Sequence, residues 1–506
     1  MSFEDKFHWL LARYIASPQW LKSTIGLAYA AVPMRLRVGP SWQHWCDLAN
    51  MSQQDDAGQN QIFDNLVRHK LRQTLVCALN HVPVWQPYQA LLQESDPYLL
   101  LRQLPLLGKD MIKRDLNAHL AQNRSPRHRM KMFTGGSTST PMQFYIEQGV
   151  TRVKEYAFIE EFHSRVGLGS EDVVLALRGR SVPGARDGTR FWMYEPIKRH
   201  LILSSDHLQA GNMPDYMAAL RDWRPAFIQA FPSALYPLAK WLDQHPQPDI
   251  TERIRGVMLF SENVYDHQYE LFRKVFGCPV LKHYGHSERA VMAASRPDDP
   301  RYFVYPQYGF VELIDPSGQP VTRQGGLGEI VATSFDNHVM PFVRYQTGDL
   351  AVLSEDIDPE RPWRVVFERV EGRLQEYVVT QDLRLISIAT LGAAHFNELA
   401  EVGAIQYEQK EIGKIDLWVE VQGPLSDTAK RHIAEAVHDK TQGGCELRVV
   451  ETPVIPRTVR GKHQMLKQHL NLADFSFAMA TDPADEGGIA AAAALPATAA
   501  SPADSQ

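Results

Sequence analysis

The chain has 506 residues, 44% hydrophobic and 22% charged, with a formal net charge of −6. That composition is ordinary for a globular protein and too long for one core, so a large domain and at least one smaller one are expected. Four acids (Asp482, Asp485, Glu486, Asp504) and no Lys or Arg lie in residues 480–506, leaving −2 elsewhere, so no basic excess points to nucleic acid or an anionic membrane.

In chain order, residues 1–60 read as helices and loops. Glu4 and Asp5 stand where a signal peptide would be basic, which predicts no signal peptide. The apolar run Ile25–Met34 is too short to span a bilayer and contains Pro33, so it reads as a packed helix. Ile62, Leu66, Leu71, Leu75 and Leu79 recur at helical spacing and predict an amphipathic helix over 62–79, stopped by Val82-Pro-Val-Trp-Gln-Pro87. Leu104–Asp110 is a turn leading into another helix. Strands are predicted at Asp172–Leu177, His200–Ser204, Ala226–Ala230, Gly256–Phe260 and Pro279–His283, with helices at Ala234–Leu242 and His267–Phe276. This alternation predicts α/β layers, sheets covered by helices. Strands then dominate: Tyr308–Leu313, Glu329–Thr333, Pro341–Tyr345 and Arg364–Glu368.

After Gly372-Arg373 the pattern changes. Ile415, Leu417, Val419 and Val421 alternate along a strand, Asp427–Asp439 reads as a helix capped by Ser426, and Glu446–Val450 as a strand. This predicts a small α+β domain. The expected organisation is a helical extension over 1–60, a large domain over 61–373, a small domain over 374–475 and a disordered Ala/Pro-rich tail over 476–506. The four cysteines (Cys46, Cys77, Cys278, Cys445) are scattered without a Cys-x-x-Cys, which argues against a disulfide framework and fits a reducing, cytoplasmic compartment.

Four short segments carry the chemistry. In Thr134-Gly135-Gly136-Ser137-Thr138-Ser139-Thr140, two glycines allow a tight turn with N–H groups facing an anion, and hydroxyls add donors for phosphate; alone it also reads as a flexible surface loop. Tyr284-Gly285-His286-Ser287-Glu288 follows a strand. It places an aromatic face, a bare backbone and a carboxylate suited to Mg²⁺ at the edge where α/β sheets bind ligands; a turn with a core tyrosine is the plain alternative. Arg344-Tyr-Gln-Thr-Gly-Asp349 presents a carboxylate able to accept two hydroxyls of a ribose, or an Asp capping its own turn. Arg373 suits a ribose or phosphate, or a surface ion pair. Lys462, in Arg457-Thr-Val-Arg-Gly-Lys462, could reach an α-phosphate, or belong to a basic surface turn. His283 and His286 read as polar or pocket histidines rather than zinc ligands.

In this order the segments resemble the adenylate-forming superfamily, which includes acyl-CoA synthetases, and more closely its phenylacetate–CoA ligase and coenzyme F390 synthetase (CapK-like) branch. Leu66–Pro87, Leu104–Asp110, Phe231-Pro-Ser-Ala-Leu235 and Ser261-Glu262 also look like that branch, and the resemblance covers roughly residues 60–468. It implies a large N-terminal domain of sheets and helices with a small mobile C-terminal domain. It implies that Thr134–Thr140 cradle the phosphates of ATP, that Tyr284, Gly285 and Ser287 help hold the nucleotide, and that Glu288 holds Mg²⁺. Asp349 matches the ribose-binding acid, Arg373 the arginine before the hinge at Gln375-Glu376, and Lys462 the adenylation lysine, so Lys462 and Glu288 are the expected catalytic pair. The implied activity is ATP-dependent activation of a carboxylic acid to an acyl-adenylate, with transfer to coenzyme A or another thiol. The resemblance leaves open AMP transfer to a hydroxyl, direct ligation to a sugar or amine, and a non-catalytic nucleotide-binding homologue; a homodimer also stays open. Two departures stand out. Ser139-Thr140 replaces a common Gly-Lys, and Gln464 stands where an arginine is common. Val291–Pro297 lacks the cysteines of a zinc site found in some relatives, so no zinc is expected. Trp192, Tyr194, Phe231, Tyr236 and Tyr284 read as an aromatic substrate pocket or as core, and Arg178 and Arg180 as an acid-binding pair or a surface turn.

Overall fold

The helix forecast near residue 62 runs from Asn60 to His81 in the computed structural model. The model describes residues 19–470 apart from 31, 52–59, 135–141, 179–181, 183–184, 186–187, 189, 209, 374–376, 384, 392–401, 442 and 457–462. The buried stripe of this helix is Phe63, Val67, Leu71, Leu75 and Ala78, whereas Ile62 is 55% exposed. At about 100° per residue, Ile62 falls opposite Leu71, so an apolar residue at the first turn was assigned to the wrong face. Val82 and Pro83 end the helix, and a 3₁₀ segment follows over Pro83–Gln93.

The strands, in chain order, begin with a hairpin of β1 (Arg129–Phe133) and β2 (Gln143–Glu147). Then come β3 (Val174–Leu177), β4 (Trp192–Glu195), β5 (His200–Leu203), β6 (Phe227–Ala230), β7 (Gly256–Phe260) and β8 (Val280–Gly285). They are followed by β9 (Met292–Arg296), β10 (Asp299–Val304), β11 (Gly309–Ile314), β12 (Leu327–Ser334), β13 (Tyr345–Leu353) and β14 (Val366–Arg373). Among the described residues, β3 to β14 form one twelve-stranded sheet, ordered β11-β12-β13-β14-β10-β9-β8-β7-β6-β3-β5-β4. From β5 to β8 the pairing is parallel; from β8 to β11 it is antiparallel. The parallel strands are buried along most of their length, as expected when helices such as Pro232–Gln244, Asp266–Phe276 and Thr151–Ser164 cover both faces.

One strand is displaced from its forecast. Pro341–Arg344 is irregular, and β13 starts only at Tyr345. Phe342 N–H and Arg344 N–H donate to the hydroxyls of Ser334 and Thr333 rather than to a ladder. Arg344 has a left-handed backbone (φ 47°), and its guanidinium meets both oxygens of Glu312 at 3.1 Å. Similarly, β14 begins two residues after the forecast Arg364 and runs on to Arg373.

The C-terminal unit has its own core. β15 (Tyr377–Val379) and β16 (Leu385–Ser387) form a hairpin. β17 (Val402–Glu411), β18 (Lys414–Val421), β19 (Glu446–Thr452) and β20 (Leu466–Gln468) form a sheet ordered β19-β18-β17-β20. Helix Asp427–Thr441 lays Ala429, Ile433 and Val437 on that core, and Ser426 Oγ accepts the Ala429 N–H at 3.3 Å as an N-cap does. The architecture is therefore a large α/β body with a small α+β domain. No described helix is long and apolar enough to cross a membrane.

Three parts of the large body meet at a buried charge cluster. Lys154 is 1% exposed and donates to the carbonyls of Tyr308 (2.7 Å) and Phe335 (3.2 Å) and to Asp336 (2.9 Å). Lys70, from the helix Asn60–His81, donates to the same carboxylate at 2.8 Å. Burial and the neighbouring Lys70 pull Lys154 down to about 8, opposed by Asp336. Removing the carboxylate would strand a buried cation, so Asp336→Asn should destabilise by about 3–5 kcal/mol in urea unfolding. Asn tolerates the left-handed φ of 63° at this position, so a loss of that size would come from the charge and not from the backbone.

Candidate active site

β8 is the strand at which the sheet changes from parallel to antiparallel: β7 runs beside it in the same direction and β9 in the opposite one. Ligands of α/β sheets bind beyond the carboxyl ends of the parallel strands, of which β8 is the outermost on this side. Tyr284 and Gly285 are the last residues of β8, and the turn 286–291 carries Ser287 and Glu288. Behind that turn, a Cβ on Gly309 would lie 2.0 Å from the Ala290 carbonyl oxygen, so glycine is what lets β11 approach it.

Glu288 is 4% exposed, and both its oxygens are engaged. His286 Nδ1 lies 3.0 Å from Oε2, and the Tyr345 hydroxyl donates to Oε1. Burial pushes the carboxyl up, but the charge and hydrogen bond of His286, the Tyr345 hydroxyl and the Lys109 ammonium outweigh it and hold the group at about 2. The side chain therefore stays a carboxylate despite its burial.

A second link runs beside the first. The Tyr284 hydroxyl donates to Asp349 Oδ2 at 2.8 Å. Burial and the Asp349 charge keep this phenol protonated well above its ordinary range. Gly348 takes φ 78°, a left-handed turn suited to glycine, and its N–H donates to Glu329 at 2.9 Å. The register of β13 on β14 sets Asp349 opposite Arg373. The structure thus brings together Tyr284, Gly285, Ser287, Glu288, Asp349 and the backbone of Arg373.

Thr134 lies at the base of the β1–β2 hairpin, where its N–H donates to Met142 O and its hydroxyl accepts Met142 N–H, both at 2.9 Å. That pair closes the mouth of the loop holding Gly135, Gly136, Ser137, Thr138, Ser139 and Thr140. Those six lie outside the described residues, as do Lys462, the residues expected at a hinge, Gln375 and Glu376, and Arg180.

Two participants were not singled out in the sequence. Tyr345 lies inside the Arg344–Asp349 segment but reads there as a core aromatic. Lys109 reads as a turn residue, yet its ammonium donates to Thr347 O, stands 3.5 Å from where a Gly348 Cβ would be, and adds positive charge near Glu288. The two histidines of the motif separate: His283 packs on Phe162 and Phe260, while His286 serves Glu288. Tyr194 stacks on Trp223 at 3.9 Å beside Trp192, Phe231 is core, and Tyr236 faces His267. Arg178 lies over Phe260 at 5.1 Å.

No protein-family model matches the chain. In sequence it is 22% identical over 340 residues to Protein CapK of Staphylococcus aureus, across 66% of this chain and 71% of that protein. It is 24% identical over 224 residues to phenylacetate-coenzyme A ligase of Pseudomonas putida, across 42% of this chain and 49% of that one. In fold it is similar to 2-hydroxyisobutyryl-CoA ligase in its postadenylation state with 2-HIB-AMP, with a TM-score of 0.59 and 16% identity, covering 81% of this chain and 90% of that one. GH3.15 acyl acid amido synthetase follows with a TM-score of 0.52 and 11% identity, over 76% of this chain and 86% of that one. The resemblance to the adenylate-forming superfamily, in its CapK and phenylacetate–CoA ligase branch, holds, and so does the fold class expected from it.

His283, on β8, and His163, on the helix Thr151–Ser164, are both pushed down to about 3, first by burial and then by nearby positive charge that includes Arg178. The unfolded chain therefore binds more protons between about pH 6.5 and pH 3, and stability falls as pH falls through that window. Urea unfolding between pH 7 and pH 5 should show a loss of up to about 1.4 kcal/mol per pH unit per histidine. His163→Gln, which keeps an amide near Gln229, should flatten that slope; an unchanged slope would mean that His163 does not titrate in this way.

Proposed function

We propose that this protein, a relative of CapK and of phenylacetate–CoA ligase, activates a carboxylic acid with ATP and hands the acyl group to a thiol, coenzyme A being the acceptor chosen here. The observation that carries this reading is the paired linkage Tyr284–Asp349 and Tyr345–Glu288 at the end of β8, where a ribose acid and a phosphate-side carboxylate are needed together.

In the first half-reaction, a carboxylate oxygen of the acid attacks the α-phosphorus of ATP. The bond to the bridging oxygen breaks, and pyrophosphate leaves with the electron pair. In the second, a thiol sulfur attacks the acyl carbon, AMP leaves, and the thiol proton passes to solvent. Tyr284 offers a ring face for the base and orients Asp349. Asp349, with one oxygen already receiving the phenol, has further lone pairs for the ribose hydroxyls. Arg373, opposite Asp349 in the register, is assigned to ribose or phosphate. The hydroxyls and N–H groups of Thr134–Thr140 are assigned to the phosphates, and Lys462 to the α-phosphoryl and acyl oxygens, where positive charge offsets developing negative charge.

Glu288 fits Mg²⁺: it is an ionised oxygen donor, and Mg²⁺ is commonly held by one or two carboxylates together with substrate phosphates. Such an ion would neutralise charge on the phosphate oxygens. We assign residues 61–373 to ATP and acid binding and 374–475 to the small domain, and the reaction to a reducing, cytoplasmic compartment.

Acid-dependent ATP–pyrophosphate exchange tests the reading, with phenylacetate and a panel of aryl, hydroxy, fatty and amino acids. Lys462→Ala and Glu288→Gln should each lower exchange by about two orders of magnitude. AMP retained covalently on the product, rather than released, would instead mean nucleotidyl transfer.

A further inference from the structure

Among the described residues, an apolar and a polar contact join the two domains. One is apolar and close to the end of β14: Leu350 packs with Tyr377 and Val379, joined by Leu327 and Leu470. The other is polar and involves a glutamate at the end of β7. Ser261 takes a left-handed φ of 64°, which turns the chain after β7, and Glu262 follows. Glu262 Oε2 accepts the Ser233 N–H at 3.0 Å, and Oε1 accepts the Ser233 hydroxyl at 3.1 Å. These two bonds orient the carboxylate from the first turn of helix Pro232–Gln244. The same Oε1 accepts the backbone N–H of His463 at 3.4 Å, from a residue 201 positions away in the small domain.

His463 is itself fastened to the small sheet. Its Nε2 donates to Ile405 O at 2.7 Å, and the next carbonyl, Gln464 O, accepts from Gln406 Nε2 at 2.7 Å. Both Ile405 and Gln406 are on β17. A load on the His463 amide is therefore a load on the whole small domain, and its peptide bond joins it to Lys462.

We propose that Glu262, oriented by Ser233, is an interdomain catch: a positioning residue that holds the small domain, through the His463 amide, in the arrangement used for adenylation and releases it for thiol transfer. This rests on the adenylation reading above. The chemistry suits a reversible contact. A single long hydrogen bond to a carboxylate biases a two-state equilibrium by about tenfold, enough to favour one arrangement without locking it.

The test uses the full-length protein and the variants Glu262→Ala, Glu262→Gln and Ser233→Ala. Hydrogen exchange without ligand reads the catch directly: the His463 amide should exchange about tenfold faster in Glu262→Ala and less so in Glu262→Gln, which keeps an acceptor. Pyrophosphate exchange with phenylacetate should fall about tenfold in kcat in Glu262→Ala with little change in KM for ATP, while transfer from supplied phenylacetyl-adenylate to coenzyme A keeps its rate. Ser233→Ala should act in the same direction and more weakly, and it serves where the alanine variant at 262 does not fold. An unchanged His463 amide overturns the catch whether or not any acid is turned over. Faster exchange confined to residues 232–244, with both half-reactions falling together, overturns it in favour of a simple helix cap. Absence of pyrophosphate exchange in the unaltered protein with every acid of the panel overturns the adenylation reading and the catalytic role of the catch with it.

Discussion

The buried carboxylate of Glu288 ties the site together. It is one of the points where side chains bond the end of the parallel strands to the antiparallel half of the large sheet. His286 reaches it from the turn after β8, and Tyr345 reaches it from the first residue of β13. A carboxyl this deeply buried would ordinarily take up a proton. Here His286, the hydrogen bonds and the positive charge of Lys109 keep it ionised, which makes it a fixed, buried negative charge just past the end of β8. An unpaired charge in that position would be costly, so the surrounding donors and the charge require each other.

The second linkage, Tyr284 to Asp349, parallels the first. Together they set β13 against the end of β8, although β14, β10 and β9 lie between them in the sheet order. The partners are carried by the end of β8, the turn after it, and β13, which bulges at Thr347–Asp349 between its pairs Gln346–Val331 and Leu350–Glu329. Gly348 and Gly309 make that approach sterically possible, one by its left-handed backbone and the other by lacking a Cβ against Ala290. The cluster of Lys154, Lys70 and Asp336 does comparable work elsewhere, joining two helices to the turn after β12 through charges that carbonyls and a carboxylate satisfy.

Much of the secondary structure was legible because it depends on local period. The alternation of short apolar runs with helical segments between 172 and 283 describes β3 and β5 to β8 closely, though β4 was not forecast, and the alternating Ile415–Val421 run is β18. The misses have physical causes. Ile62 was given to the buried face because it is apolar, but the angular position of a residue on a helix outweighs its polarity at an end turn. Pro341–Tyr345 resembles a strand in composition, yet Arg344 is drawn out of the ladder by Glu312, a residue 32 positions earlier. Trp192 and Tyr194, which read as pocket or core, pack against Trp223 at the sheet edge, a partner the sequence did not indicate.

The candidate residues themselves were readable as motifs, since a turn that presents a carboxylate needs glycine at a definite neighbouring position. By itself the amino-acid sequence determined the alternation of elements, the type of chemistry and the segments that carry it, because period, turn residues and functional groups are local properties. The tertiary structure alone decided which groups meet. Tyr345 bonds Glu288 across 57 positions, Lys109 bonds Thr347 across 238, and Glu262 bonds His463 across 201. The reason is physical: a hydrogen-bond partner is chosen by the path of the backbone through space, and a charge is kept or lost according to how much water and how many donors that path leaves around it.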